Sequence, residues 1–268
     1  MKTEKPQILL TNDDGIRSPG LWAAAAALEA IGYVTVAAPR EQSSGMGRSL
    51  PNTTDGLITP EQLQVNGRSW TVYAVGGSPA QAVLHGALEV MPRLPDLVVS
   101  GINYGANIGS GVTISGTVGA ALEAAALGIP ALAISLDTEL EHHLSYSQEV
   151  DFSAAAYFTA YFGGKLLHRQ MPSDVDVLKV EIPAQATPET PWEITRLSRV
   201  RYYHAEKPER TSWNQPTVMG YRINESWGDA SADSDVHALF TRHQVSVTPL
   251  SLDLTSRVLP EILEKLLS

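Results

Sequence analysis

Ile8-Leu9-Leu10-Thr11-Asn12-Asp13-Asp14-Gly15 is followed by Pro19-Gly20, an alanine-rich run to Ile31, Gly32, and then Tyr33-Val34-Thr35-Val36-Ala37. An apolar triplet that ends in polar turn residues reads as a buried strand. Proline at the start of the next run and glycine at its end punctuate a helix over 19–31. Tyr33 to Ala37, stopped by Pro39, reads as a second strand. The same alternation continues outward from this opening. Strands are expected at Trp70–Val75, Leu97–Val99, Ala131–Leu136 and Val175–Ile182. Helices are expected from Pro79 to about Met91, from Gly116 onward, and over Asp151–Leu167. Alternating strands and helices predict an α/β fold with a mostly parallel sheet covered on both faces. The nearly continuous apolar strands agree, because parallel strands are buried on both sides.

Beyond Pro188 the character changes. Trp192–Thr195 and Gly220–Ile223 look like strands with polar turns between them, and are expected to form a hairpin extension. Val245–Leu250 reads as a returning strand and Ser256–Leu267 as an amphipathic helix. The expected division is 1–190 as core, 191–245 as extension, and 246–268 as final strand and helix.

The chain has 268 residues, of which 43% are apolar and 18% charged, enough for a sizeable core without cross-links. It contains no cysteine, which excludes disulfides, thiolate metal sites and a catalytic thiol and suits a reducing cytoplasm. A net charge of −10 disfavours duplex nucleic acid as a partner. Met1 to Pro6 lacks the apolar core of a leader peptide, and no run approaches the roughly 18 apolar residues of a membrane span. The expectation is a cytoplasmic protein with no membrane partner.

Ligands of open parallel sheets bind beyond the carboxyl ends of the strands. Three polar loops, after Leu10, Pro39 and Val99, lie at such ends. In the first, Asp13 and Asp14 are adjacent carboxylates. Such a pair is either a solvated turn or, in a crevice, a site whose repulsion a cation relieves; oxygen ligands select a hard ion such as Mg²⁺ or Mn²⁺. In the third, Gly101, Gly105, Gly109 and Gly111 allow close backbone approach to a ligand. There Asn103 offers an amide oxygen to a cation and Asn107 a donor to an anion, unless the segment is only a structural loop. Ser115-Gly116-Thr117 opens a helix and is either a plain cap or an anion site. Ser44 in Gln42-Ser43-Ser44-Gly45 is either a ligand or turn chemistry. No Lys or Arg occurs between Leu94 and Gly164. A phosphate there would depend on backbone amides, the helix end and a metal. The glycine spacing of dinucleotide sites and the lysine-bearing phosphate loop are both missing. His142-His143 reads as solvated surface, His85 and His237 as structural or exposed. Glu123 reads as a helix residue or a support for the site, and Trp213 and Trp227 as base-stacking or interface residues.

Taken together these stretches resemble the SurE survival-protein nucleotidases. Ile8 to Ile16 with Pro19-Gly20 resembles that family's opening motif, and Ser44-Gly45 its second. Val99-Ser100-Gly101-Ile102-Asn103 with Gly105, Asn107 and Gly109 resembles its third, and Ser115-Gly116-Thr117-Val118-Gly119-Ala120-Ala121 its fourth. Val245–Leu250 and Asp253-Leu254-Thr255 recur as well. Pro39-Arg40-Glu41 and Gly77-Ser78-Pro79-Ala80-Gln81 depart from the family pattern, and Ile114 replaces its tyrosine. The resemblance implies a Rossmann-like core whose C-terminal hairpin is exchanged within a homodimer or homotetramer. It implies hydrolysis of nucleoside 5′- and 3′-monophosphates with one divalent metal per subunit, Mg or Mn. Carried over by position, the metal ligands are Asp13, Asp14, Ser44 and Asn103, with Asp13 and Asp14 also catalytic. The phosphate contacts are Asn107, Ser115, Gly116 and Thr117, with Gly45 nearby. Two other readings remain: a metal-dependent nucleotide-binding protein without turnover, and a phosphatase of another small phosphoester.

Overall fold

Strand β1 (Gln7–Thr11) lies inside a nine-stranded sheet of order β3-β4-β2-β1-β5-β6-β7-β11-β8. The computed structural model describes residues 5–65, 67–143, 146–147, 149–224 and 230–268. Along the chain β1 is followed by α1 (Pro19–Leu28), β2 (Tyr33–Pro39), β3 (Ile58–Val65), β4 (Arg68–Val75) and α2 (Pro79–His85). Next come β5 (Leu97–Tyr104), α3 (Gly116–Ala126), β6 (Ala131–Leu136), α4 (Ser153–His168) and β7 (Val177–Ile182). The C-terminal part holds β8 (Trp192–Ile194), β9 (Tyr203–Glu206), β10 (Gly220–Ile223), α5 (Asp235–Phe240), β11 (Val245–Leu250) and α6 (Pro260–Leu267).

Pairing is parallel from β4 through β2, β1, β5 and β6 to β7, and antiparallel only for β3–β4 and β7–β11 in this sheet. Alternate residues of one strand serve opposite layers. Ile8 and Leu10 pack with Leu21, Trp22 and Phe158 beneath α1 and α4. Leu9 packs with Val83, Val118 and Ala121 beneath α2 and α3. This is the two-sided burial expected of apolar parallel strands. From β1 the chain moves outward to β2 and β4, then crosses back to β5 on β1's other side. The topological switch point is therefore the crevice beyond the carboxyl ends of β1 and β5.

Strand β5 runs five residues past the expected end at Val99, to Tyr104. Its register against β6 shifts between Ser100 and Asn103. Gly101, with φ +133°, makes that possible, since a Cβ there would lie 2.2 Å from the Ile134 carbonyl oxygen. Asn103 consequently lies within a strand, paired with Ser135, rather than in a loop. Strand β3 was not expected, because Pro60 and alternating polar residues hide an edge strand.

The expected partner of Gly220–Ile223 is corrected. Strand β10 pairs antiparallel with β9, whereas Trp192–Ile194 joins the main sheet beside β11. Contacts hold it there: the Trp192 ring meets Phe162 edge-on at 5.7 Å, and Thr195 Oγ1 bonds the hydroxyls of Ser246 and Thr248 at 2.8 Å. Trp227 lies outside the described residues. Helix α6 has no buried residue. Among the described residues, no helix is long and apolar enough to cross a membrane.

Candidate active site

Asp13 and Asp14 follow β1 directly, and both are buried, 4% and 2% exposed. A solvated turn is thereby excluded. Asn12 shapes the bend: its side chain accepts from Gly15 N and donates to Gly15 O. Ser43 N donates to Asp13 O at 2.7 Å, which docks the second loop on the first.

The start of α3 closes on Asp13. Thr117 Oγ1 donates to Asp13 Oδ1 at 2.5 Å, and the backbone amides of Gly116 and Thr117 are directed at the same carboxylate. A Cβ at Gly116 would stand 2.7 Å from Asp13 Cβ, so only glycine lets the helix end approach this closely. Ser115 Oγ accepts from Val118 N and caps the helix. The positive end of α3 thus faces an acidic side chain.

Asp14 is held differently. Tyr104 N donates to its Oδ2 at 3.3 Å, and Gln42 donates to the same carboxylate. Tyr146 Oη donates to its carbonyl oxygen at 2.6 Å. Burial pushes the Asp13 carboxyl above the usual range, against the pull of its bonds to Thr117. Burial raises Asp14 much further, and the neighbouring Asp13 charge acts in the same direction. Both carboxylates can ionise together only with a counter-charge nearby.

Asn103 is 8% exposed, and its Nδ2 donates to the carbonyls of Tyr104 and Gly105. With the nitrogen committed, its Oδ1 is the end left to serve as a ligand. Two buried carboxylates and the Asn103 amide oxygen are hard oxygen donors, the kind that suits Mg²⁺ or Mn²⁺. Ser44 is exposed, and Gln42 Nε2 links to it at 3.2 Å and to His143 O at 2.9 Å. Gly45 is exposed, with φ +77° and nothing crowding it.

The second loop is braced from two sides. Arg48 Nε bonds Glu123 Oε2 at 2.6 Å, and Gly47 N bonds Ile114 O at 3.0 Å, fixing it to the approach and body of α3. Gln81 Nε2 donates to Pro51 O at 2.9 Å while its own oxygen accepts from Ser78 N, tying the loop to the capped start of α2. The departures at Gln81 and Arg40 thus have structural partners, since Arg40 pairs with Asp55.

Asn107 is partly buried, and its Nδ2 donates to Ser135 Oγ at 3.1 Å. A cation does reach this segment from outside the lysine-free stretch. Lys179 of β7 donates to Asn107 O at 2.9 Å. Sequence reading also missed Gln42, Tyr146 and His143. His143 is corrected from solvated to buried: its ring lies against Gly105, where a Cβ would meet Nε2, and its Nδ1 is 3.3 Å from Tyr221 Oη. The Tyr203 ring in turn meets the Tyr221 ring edge-on at 5.2 Å. Of the other side residues, His85 pairs with Glu89 and His237 with Arg242, and Trp213 is exposed. A separate trio, Glu139, Glu141 and His142, gathers on a surface turn whose two acids are exposed, where solvent balances their charge.

Residues 8–204 match the survival protein SurE family. A protein named 5′-nucleotidase SurE from Methanocella arvoryzae is 39% identical over 261 residues, covering 93% of each chain. One of the same name from Thermococcus gammatolerans is 38% identical over 254 residues, covering 94% of this chain and 92% of its own. The crystal structure of the SurE protein from Aquifex aeolicus superposes with a TM-score of 0.76 at 32% identity, covering 98% of this chain and all of the other. The chain therefore belongs to the survival protein SurE family.

Proposed function

We propose that this protein is a divalent-metal-dependent phosphomonoesterase that hydrolyses nucleoside 5′- and 3′-monophosphates to nucleoside and phosphate. The observation that carries the reading is the buried Asp13–Asp14 pair at the switch point, bracketed by the α3 start at Thr117 and the β5 end at Tyr104. The names of the relatives support the nucleotidase part of it.

Asp13, Asp14, Ser44 and Asn103 would hold one Mg²⁺ or Mn²⁺. That ion supplies the counter-charge for a phosphoryl group and brings the pKa of a water toward neutrality. The chain's own residues do the rest. Asp13 or Asp14 orients the attacking water and accepts its proton. Gly45, Asn107, Ser115 and the Gly116 and Thr117 backbone line the phosphate position, where charge develops on the equatorial oxygens. The Thr117 hydroxyl fixes which Asp13 oxygen faces the ion.

The reading includes a homodimer or homotetramer in the cytoplasm. Helix α6 exposes Ile262, Leu263, Leu266 and Leu267 beside the exposed cap residue Leu259, and the β9–β10 hairpin exposes Val218 and Met219. An apolar helix stripe facing water calls for a partner surface. We assign that surface to a second copy that exchanges the β9–β10 hairpin, while β8 and Asp235 stay on their own chain's sheet.

The test is phosphate release from AMP and 3′-AMP with Mn²⁺, with Mg²⁺ and with chelator. Release that needs the ion, and disappears in Asp14→Ala, is expected. Undiminished release in excess chelator would reject the metal role, and none across a nucleotide panel would reject the enzyme.

A further inference from the structure

The sheet carries a second group of ionisable side chains, distinct from Asp13 and Asp14. Lys179, Glu181 and Asp235 are each 0% exposed. Lys179 and Glu181 share one face of β7, two residues apart. Lys179 Nζ lies 3.1 Å from Asp235 Oδ2 and 3.5 Å from Glu181 Oε1. Their remaining bonds converge on the glycine-rich third loop. Lys179 Nζ donates to Asn107 O at 2.9 Å, and Asn107 N donates to Glu181 Oε2 at 2.9 Å. Ser135 Oγ accepts from Asn107 Nδ2 and donates to Glu181 Oε1 at 3.4 Å. Asp235 Oδ2 accepts from Gly109 N at 2.9 Å, while its Oδ1 accepts from Ser198 N and Val236 N.

We propose that Lys179, Glu181 and Asp235 are positioning residues that hold Asn107 and Gly109 from beneath, setting the phosphate-facing geometry of the third loop. This rests on the phosphomonoesterase reading above. Taking three charged groups fully out of water is costly, and well-packed apolar residues fill such a space as stably or better. Stability alone therefore accounts poorly for the trio. What apolar residues cannot do is engage the N–H and C=O of Asn107 and the N–H of Gly109 at once. A loop with glycines at 105, 109 and 111 has little stiffness of its own. The network supplies that stiffness, and Ser135 takes only one of the two Nδ2 hydrogens of Asn107, so the other can donate to an anion. Burial also pushes Glu181 up to about 7, which moderates the negative charge behind an anion site.

The decisive variant is Lys179→Met/Glu181→Leu. It removes one charge of each sign; Asp235 loses its ion pair but keeps three backbone donors, so folding is checked by Tm before KM is read. With Mn²⁺ saturating, KM for AMP should rise at least tenfold while kcat changes less than threefold. Amide hydrogen exchange at Asn107 should quicken by a similar factor. A merely structural role would lower Tm and leave KM of the folded protein unchanged. Asp235→Asn, which leaves a balanced Lys179–Glu181 pair, is the second variant and should raise KM severalfold and speed exchange at Gly109. A folded variant with KM within twofold of the parent and parental exchange at Asn107 or Gly109 would overturn the proposal. If the parent itself releases no phosphate, the functional reading fails instead, and the exchange measurements alone decide whether these side chains hold the loop.

Discussion

Thr117→Val removes one hydroxyl and nearly nothing else. Thr117 is fully buried, its Oγ1 donates to Asp13 Oδ1, and valine has the same shape. The α3 amides that also face Asp13 stay in place. The lost bond is to a charged group, a class that contributes about 1.5–3 kcal/mol. Because burial already raises Asp13, losing a donor raises it further and weakens its ionised, metal-holding form. Mn²⁺ affinity should fall about 10–100-fold, the range usual for a group that orients a metal ligand. The assay is calorimetric Mn²⁺ titration, repeated as the Mn²⁺ dependence of phosphate release from AMP. Saturating Mn²⁺ should recover most of kcat, and Thr117→Ser should restore the parental midpoint. Parental Mn²⁺ affinity in a folded Thr117→Val protein would refute the idea that this hydroxyl prepares Asp13.

Gly116→Ala should be worse than Thr117→Val, because its Cβ must fit 2.7 Å from the Asp13 Cβ; Mn²⁺ binding should drop more than 100-fold, read by the same titration. Glu123→Gln weakens the Arg48 clamp on the Ser44 loop, and because Arg48 is 40% exposed the expected effect is modest, up to about fivefold in the Mn²⁺ midpoint or ~1 kcal/mol. The pH dependence of stability has a defined sign. Glu181 rises from 4.5 to about 7 on folding and Asp137 to about 6, with Asp13 and Asp14 raised as well. The metal-free native state therefore binds more protons than the unfolded chain, and its stability falls as pH climbs from 4.5 to 7. Thermal melts in chelator should show that fall, and Glu181→Gln should flatten part of it.

The opening strand, the acidic turn and the strand–helix alternation were legible because each has a local signal: apolar runs, a proline start, a glycine stop. The convergence of Asp13 with Gly116-Thr117 was legible only through the rule that ligands gather at strand carboxyl ends, which places loops together without naming their contacts. Strand β3 was hidden by Pro60, and α5 by its length of six residues. The extension of β5 to Asn103 depends on a register shift against β6, a non-local event. Lys179 and Glu181 did leave a trace, two charges at a spacing of two inside an otherwise apolar strand. Their partner Asp235 lies far along the chain, so the trace could not be read as a network. Gln42 and Tyr146 matter through single contacts with Asp14, which no pattern encodes.

In the proposed mechanism Asp13 and Asp14 grip one cation that in turn holds the phosphoryl group. Calorimetry of inorganic phosphate binding, with and without Mn²⁺, in the parent and in Asp14→Asn, tests it most directly. One Mn²⁺ per chain, phosphate binding only in its presence, and loss of both in the variant are expected. Phosphate bound equally well in chelator, or a variant that still takes up Mn²⁺ and phosphate like the parent, would contradict it.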